Sequence, residues 1–209
     1  WDKGDNGMNR RKFLKACLSA GVAMNLENVR AVEFCESVPD MIDAVRCKVG
    51  LKSNVVAAFA DEQEASQWCW AACIQMIFAY HGHPVKQQRI VAETWGKIVN
   101  MPADPYQITE ALNREWTDDN GEGFYSSANS YAVDVGVVAV SLKNDMPLII
   151  GTHHHAMLLT AMHYTQDDSN KTFFVHEMRV RDPWPGKGSR SLSKNEVDGL
   201  MFAATVMIL

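Results

Sequence analysis

Between positions 69 and 80 apolar residues fall at Cys69, Ala72, Cys73, Met76, Ile77 and Tyr80, the i, i+3, i+4, i+7 spacing that turns one face of a helix into a core. Gly82 and Pro84 follow; the first tolerates a left-handed cap and the second cannot continue a helix, so the pattern predicts a helix from Cys69 that stops before Gly82. Upstream, residues 33–48 read as a short helix with Pro39 near its start, and residues 54–60, NVVAAFA, as a small β-prone run. Further helices are expected at 85–95 and 106–116, with the polar stretch TDDNGEG at 117–123 as a loop.

The pattern then changes. The runs MPLIIGTHHHAMLLTAMHY and KTFFVHEMRVRDPW are apolar or alternating, and TQDDSN between them has the turn chemistry of a β-hairpin of medium loop length, spanning 165–171. Ser193 and Glu196 match a capping box for a short helix, and residues 201–209 read as a last strand. Helices first and antiparallel strands second is the α+β pattern. No internal repeat is present.

Composition narrows the possibilities only at the ends. At 209 residues and 47% hydrophobic, the chain suits a single filled core, expected over residues 32–209. No run of eighteen or more apolar residues calls for a stable membrane span in the mature form. A net charge of −5 is unsuited to a nucleic-acid surface, so no nucleic-acid partner is expected.

Near the N-terminus, Arg10, Arg11, Lys12 and Lys15 precede a weakly apolar stretch at 16–26, the order of a basic n-region and an h-region. Arg10-Arg11 followed by Phe13, Leu14 and Lys15 resembles the twin-arginine export signal of bacteria, with Val29 and Ala31 suiting cleavage after Ala31. Met8 would start such a signal, leaving residues 1–7 as upstream sequence. The expectation is export, to a periplasmic or extracellular site, with residues 1–31 removed; a chain whose signal did not function would stay cytoplasmic. Those residues carry six Lys and Arg against three Asp and Glu, so without them the charge falls from −5 to −8. In an oxidising compartment Cys35 and Cys47 could be bridged, whereas Cys69 and Cys73, four apart on one helix, are poorly placed to bridge each other.

Cysteine attacks as the thiolate, which the unpaired amides at a helix start favour. Cys69 stands where the helical pattern begins and is the candidate nucleophile; Cys73, one turn further on the core face, reads as a buried apolar residue. Gln63, five intervening residues and then Cys69-Trp70 resemble the papain superfamily. The form QWCWAA is closest to the papain-like peptidases that include the avirulence effectors of plant-pathogenic bacteria, and to the bacteriocin-leader peptidases. The resemblance spans about residues 54–209. It implies an oxyanion hole made by the Gln63 side chain and the Cys69 amide. It also implies a base at His155, which opens THHHAMLL's apolar strand with a His-Ala pair, and an orienting carboxylate at Asp182, in an Asp-Pro pair at a strand end. Alternation along the strand puts His153 on the face of His155, as the fallback base. The interval from His155 to Asp182 exceeds the family's usual one, which a hairpin loop at 165–171 would explain. Trp68 stands where papain has a small residue.

The fold implied is papain-like, with the nucleophile at a helix start packed on a C-terminal antiparallel sheet. The activity implied is hydrolysis of peptide or protein substrates through a Cys69, His155, Asp182 triad assisted by Gln63. Two alternatives keep the residues: transfer of the acyl group to an amine, or an idle module that binds a partner through the old cleft. No cofactor is expected. Three adjacent strand histidines cannot converge on one ion, and zinc-ligand spacings are lacking, so no metal is expected; His83, His163 and His176 read as surface or core histidines.

Overall fold

A computed structural model describes residues 31–39, 41, 43–153, 155–169 and 171–209. The expected export segment, apart from Ala31, lies outside the described residues. The described chain starts with a hairpin of β1 (Val32–Ser37) and β2 (Ala44–Gly50) and then runs through four helices: α1 (Ser53–Ala58), α2 (Cys69–Tyr80), α3 (Gln87–Trp95) and α4 (Pro105–Leu112). A second hairpin, β3 (Arg114–Thr117) and β4 (Gly123–Tyr131), leads to α5 (Val135–Lys143). The remainder is β5 (Leu148–Thr152), β6 (His155–Asp167), β7 (Thr172–Asp182), β8 (Gly188–Ser191), α6 (Lys194–Asp198) and β9 (Leu200–Ile208).

All strand pairs are antiparallel, in one sheet ordered β1-β2-β6-β5-β9-β4-β3, with β7 added beside β6 and β8 beside β7. This is the expected mixture: helices dominate the first half and antiparallel strands the second. Alternation along β6 divides the core. Ala156 and Leu158 point to the cluster that contains α2, while Met157 and Leu159 point to the one that contains Val138 and Leu142 of α5.

Helix α2 is buried almost all round; of residues 69–78 only Gln75 is not buried. It packs against β6 on one side and α3 on the other, which explains why its apolar residues exceed a single stripe. Phe78 meets Trp116 and Phe124 edge-on at 5.4 and 5.0 Å, and its full burial contributes roughly 1.5–3 kcal/mol.

Several local expectations differ. Residues 33–48 form the β1–β2 hairpin, with Cys35 directly opposite Cys47 and the two joined by a disulfide; the strand pairing with β6 overrides the local helical reading. Residues 54–60 mostly lie in α1, where Val56 is the buried side chain. The helix expected at 106–116 ends at Leu112, and Trp116 enters the core from β3. The stretch 117–123 is the β3–β4 turn. Strand β4 and helix α5 lie where no element was expected. The interval between His155 and Asp182 comes from long strands rather than a long loop: β6 runs to Asp167, β7 starts at Thr172, and register shifts interrupt their pairing twice.

Candidate active site

Cys69 is the first residue of α2 and is 8% exposed. The tryptophans on either side pin this helix start to one segment: Trp68 Nε1 donates to the Val99 carbonyl at 2.8 Å and Trp70 Nε1 to the Met101 carbonyl at 3.2 Å. Between them in sequence, Asn100 accepts from the Gln67 amide at 2.9 Å and donates to Ser66 Oγ at 2.9 Å. The flanking indoles therefore fix the backbone that presents the thiol, and Trp68 is itself buried. Cys73 is fully buried; burial pushes its thiol well above its ordinary range, and the nearby Cys69 and Asp182 charges add to that.

His155 opens β6. The amide of Ala156 donates to Cys69 Sγ at 3.4 Å, so the strand start lies against the helix start. Nε2 of His155 is 2.7 Å from Asp182 Oδ1. Since Nε2 is engaged, Nδ1 is the nitrogen left for the thiol. Burial alone would lower the His155 pKa, but the hydrogen bonds to Asp182 and Cys69 and their charges outweigh it and raise it to about 9.

Asp182 ends β7, where Pro183 stops the strand, and is 2% exposed. Its Oδ1 also accepts from the Trp184 amide at 2.9 Å, and its Oδ2 from Arg190 Nε at 2.8 Å. Burial would raise this carboxyl, but the bonds from His155, Trp184 and Arg190 hold it down at about 2. The Trp184 ring stands edge-on to His155 with centroids 6.3 Å apart and is 46% exposed.

Gln63 belongs to the same neighbourhood: its amide donates to the Pro183 carbonyl at 2.7 Å. The buried side chain donates one Nε2 hydrogen to the Ala65 carbonyl at 2.8 Å, and its Oε1 has no hydrogen-bond partner among the described residues. The structure thus brings Cys69, His155 and Asp182 together, with His155 bonded to Asp182, the neighbouring Ala156 amide bonded to the thiol, and Gln63 tied beside them. It does not bring in His153, which lies in the β5–β6 turn with a φ of 39° and packs on Gly199, where a Cβ would sit 2.1 Å from its Nε2.

Three participants in this network escaped the sequence: Trp184, Arg190 and Glu196. Trp184 is adjacent to the Asp-Pro pair and could have been flagged. Arg190 carries no local signal; only the pairing of β7 with β8, which sets it opposite Val180, brings it to the face of Asp182.

One further cluster among the described residues has metal-ligand chemistry: atoms of His83, Asp118 and Glu122 lie within 4.8 Å of one another. Asp118 already accepts from the Asn120 and Glu122 amides at 2.8 and 2.9 Å and pairs with His83 Nδ1 at 3.2 Å. His83 also stacks on Phe124 at 4.4 Å. These bonds fasten the β3–β4 turn to the segment after α2.

The sequence model of the family described as papain-like cysteine protease AvrRpt2 matches residues 52–196. No curated protein matches the chain. Among solved structures it is similar to the crystal structure of UfSP from C. elegans, at 13% identity and a TM-score of 0.46, over 86% of this chain and 37% of that one.

Proposed function

The chain belongs to the family of the papain-like cysteine protease AvrRpt2, and from that premise we propose that it hydrolyses peptide bonds of protein substrates through Cys69, His155 and Asp182. The observation that carries the reading is that the Ala156 amide, next to His155, donates to Cys69 Sγ at 3.4 Å while His155 Nε2 lies 2.7 Å from Asp182 Oδ1, with the thiol at a helix start.

The raised His155 pKa favours an imidazolium beside the sulfur at neutral pH. The Cys69 thiolate attacks the scissile carbonyl carbon, forming a C–S bond and moving an electron pair onto the carbonyl oxygen. The Cys69 amide, one of the helix-start amides with no intrahelical acceptor, and the second Nε2 hydrogen of Gln63 are the donors for that oxygen. Collapse breaks the C–N bond, and the departing amine takes the proton from His155 Nδ1. Water then gives a proton to the neutral imidazole as it attacks the thioester; the C–S bond breaks, the acid product leaves and the thiolate is restored. Asp182 stays ionised throughout and accepts the Nε2 hydrogen, as in other such triads.

Residues 32–209 are the catalytic unit in this reading, and export is its second part. The Arg10-Arg11 pair ahead of residues 16–26 supports it, as does the Cys35–Cys47 disulfide, since disulfides persist in oxidising compartments. Changing both arginines to lysine should hold the protein in the cytoplasm at full length; unchanged export and cleavage would rule out the twin-arginine route. For the chemistry, the test is hydrolysis of an unfolded protein substrate by the wild type and by Cys69→Ala. New amino termini in the first and none in the second are expected, while equal cleavage by both would refute the mechanism.

A further inference from the structure

We infer that Arg190 is a positioning residue for this chemistry, acting through Asp182 to fix which nitrogen of His155 faces Cys69. The inference rests on the proposed roles of Cys69 and His155, and it adds a group that no motif marks.

The guanidinium is held on every side. Nε donates to Asp182 Oδ2 at 2.8 Å; Nη1 donates to Glu196 Oε2 at 3.0 Å and to the Ser191 carbonyl at 3.3 Å; Nη2 donates to Glu196 Oε1 at 2.6 Å and approaches Met157 Sδ at 3.2 Å. Five N–H groups thus meet five acceptors, which is the full inventory of an arginine. Glu196 is fixed in turn, because its Oε2 accepts from the Ser193 amide and hydroxyl, both at 2.8 Å, in the capping box of α6. The hydrogen bonds from Arg190 hold the Glu196 carboxyl at about 2, so the pair stays charged in any ordinary buffer. A lysine would supply the charge but not the fork that spans two carboxylates.

The consequence falls on Asp182. With Oδ2 committed to Arg190, the plane of the carboxylate is set and Oδ1 alone is turned to the imidazole and the Trp184 amide. An ionised carboxylate only accepts, so the ring nitrogen against it must carry hydrogen, and Nδ1 is left to exchange protons with the sulfur. Without Arg190, the buried Asp182 would protonate more readily and could swing or donate, and the ring would lose its fixed orientation. The capping-box helix α6 therefore serves the site: it sets Glu196, which sets Arg190, which sets Asp182.

A merely structural arginine would stitch β8 and α6 to β7 and affect melting alone. The experiment compares full-length wild type, Arg190→Gln, Arg190→Lys and Glu196→Gln, each verified as folded, by kcat and KM across pH and by the proton resonance of the His155 Nε2–H. Arg190→Gln should lose up to about 100-fold in kcat with KM little changed, as expected when a catalytic group is misplaced by a remote change. Its acid limb should move up by on the order of one pH unit as Asp182 protonates earlier, and the Nε2–H resonance should weaken or vanish. Arg190→Lys should recover part of the loss, and Glu196→Gln should move the same quantities less. If Arg190→Gln fails to fold, the other two variants carry the comparison. A folded Arg190→Gln, or failing that a folded Arg190→Lys and Glu196→Gln, with wild-type kcat, acid limb and resonance would overturn the inference. A wild type that cleaves no peptide would remove the proposed function instead, and the resonance would still decide for or against Arg190.

Discussion

Nε2 of His155 lies 2.7 Å from Asp182 Oδ1, and that contact decides the chemistry open to the ring: the nitrogen it occupies is closed to substrate, and the other is left to exchange protons with the Cys69 thiol. The oxygen it uses is the one Arg190 leaves free. Replacing Asp182 thus disturbs two partners at once. In Asp182→Asn the amide nitrogen would confront either the His155 N–H or the Arg190 N–H, both donors. This substitution should therefore lower kcat and also cost about 1–3 kcal/mol in unfolding free energy; Asp182→Ala should do more harm to kcat by freeing the ring. Steady-state kinetics with denaturant titration checks both, and wild-type behaviour of Asp182→Asn would contradict the two-sided carboxylate.

The two cysteines of α2 should part company under mutation. Cys69→Ala should abolish turnover and leave the fold intact, with a stability loss no larger than that of another small buried side chain. Cys73→Ala should keep activity and lose on the order of 1 kcal/mol of stability, as a small buried side chain does. A dead Cys73→Ala beside an active Cys69→Ala would reverse the assignment.

Activity should depend on pH through the pair as a unit. His155 is raised to about 9, so the imidazolium form and the stability it contributes are fully present below about 6.5 and are lost as pH rises through about 9. Asp182 is depressed to about 2, so its contribution is present above about 4 and is lost as pH falls through about 2. A bell-shaped kcat/KM profile with its alkaline limb near pH 9 is expected. An alkaline limb near the ordinary histidine value would mean that the His155–Asp182 contact does not operate in solution.

Much of this site was legible beforehand because it sits at element ends that sequence marks well. The period of α2 fixed where Cys69 lies, and Pro183 fixed where β7 stops behind Asp182. At 32–50 the possible Cys35–Cys47 bridge was legible but the hairpin was not, since the strand form of β2 goes with its pairing to β6, a contact more than a hundred residues away in the chain. Val55 and Val56 favour a strand locally, yet they lie in α1, with Val56 turned into the core. Ser-rich β4 alternates too weakly to be seen; it is held by β9 and β3 on either side. Arg190 was hidden for the same reason, since its role depends on a strand register and not on its neighbours in sequence.

The disulfide should matter for stability and not for chemistry. Cys47 pairs across from Tyr164, roughly 30 Å along β6 from His155 at ordinary strand rise. Replacing Cys35 and Cys47 by serine should cost about 2–4 kcal/mol and leave kcat unchanged. A large fall in kcat in a folded double variant would show that the hairpin reaches the site.

Gln63→Ala should lower kcat by about 10²–10³ while alkylation of Cys69 proceeds at nearly the wild-type rate, since an oxyanion donor acts only on the substrate's oxygen. An equal fall in both rates would mean that the Gln63 side chain supports the thiol itself, through its bond to the Ala65 carbonyl.

The central claim, that Cys69 is the peptidase nucleophile activated by His155, is tested most directly by treating the folded protein with iodoacetamide at neutral pH, following peptidase activity in the same sample and locating the adduct by fragmentation mass spectrometry. The expected result is one carboxamidomethyl group, on Cys69, appearing in step with loss of activity and forming far more slowly in His155→Ala. Activity that survives complete alkylation of Cys69, or is lost in step with an adduct on Cys73, would contradict the claim.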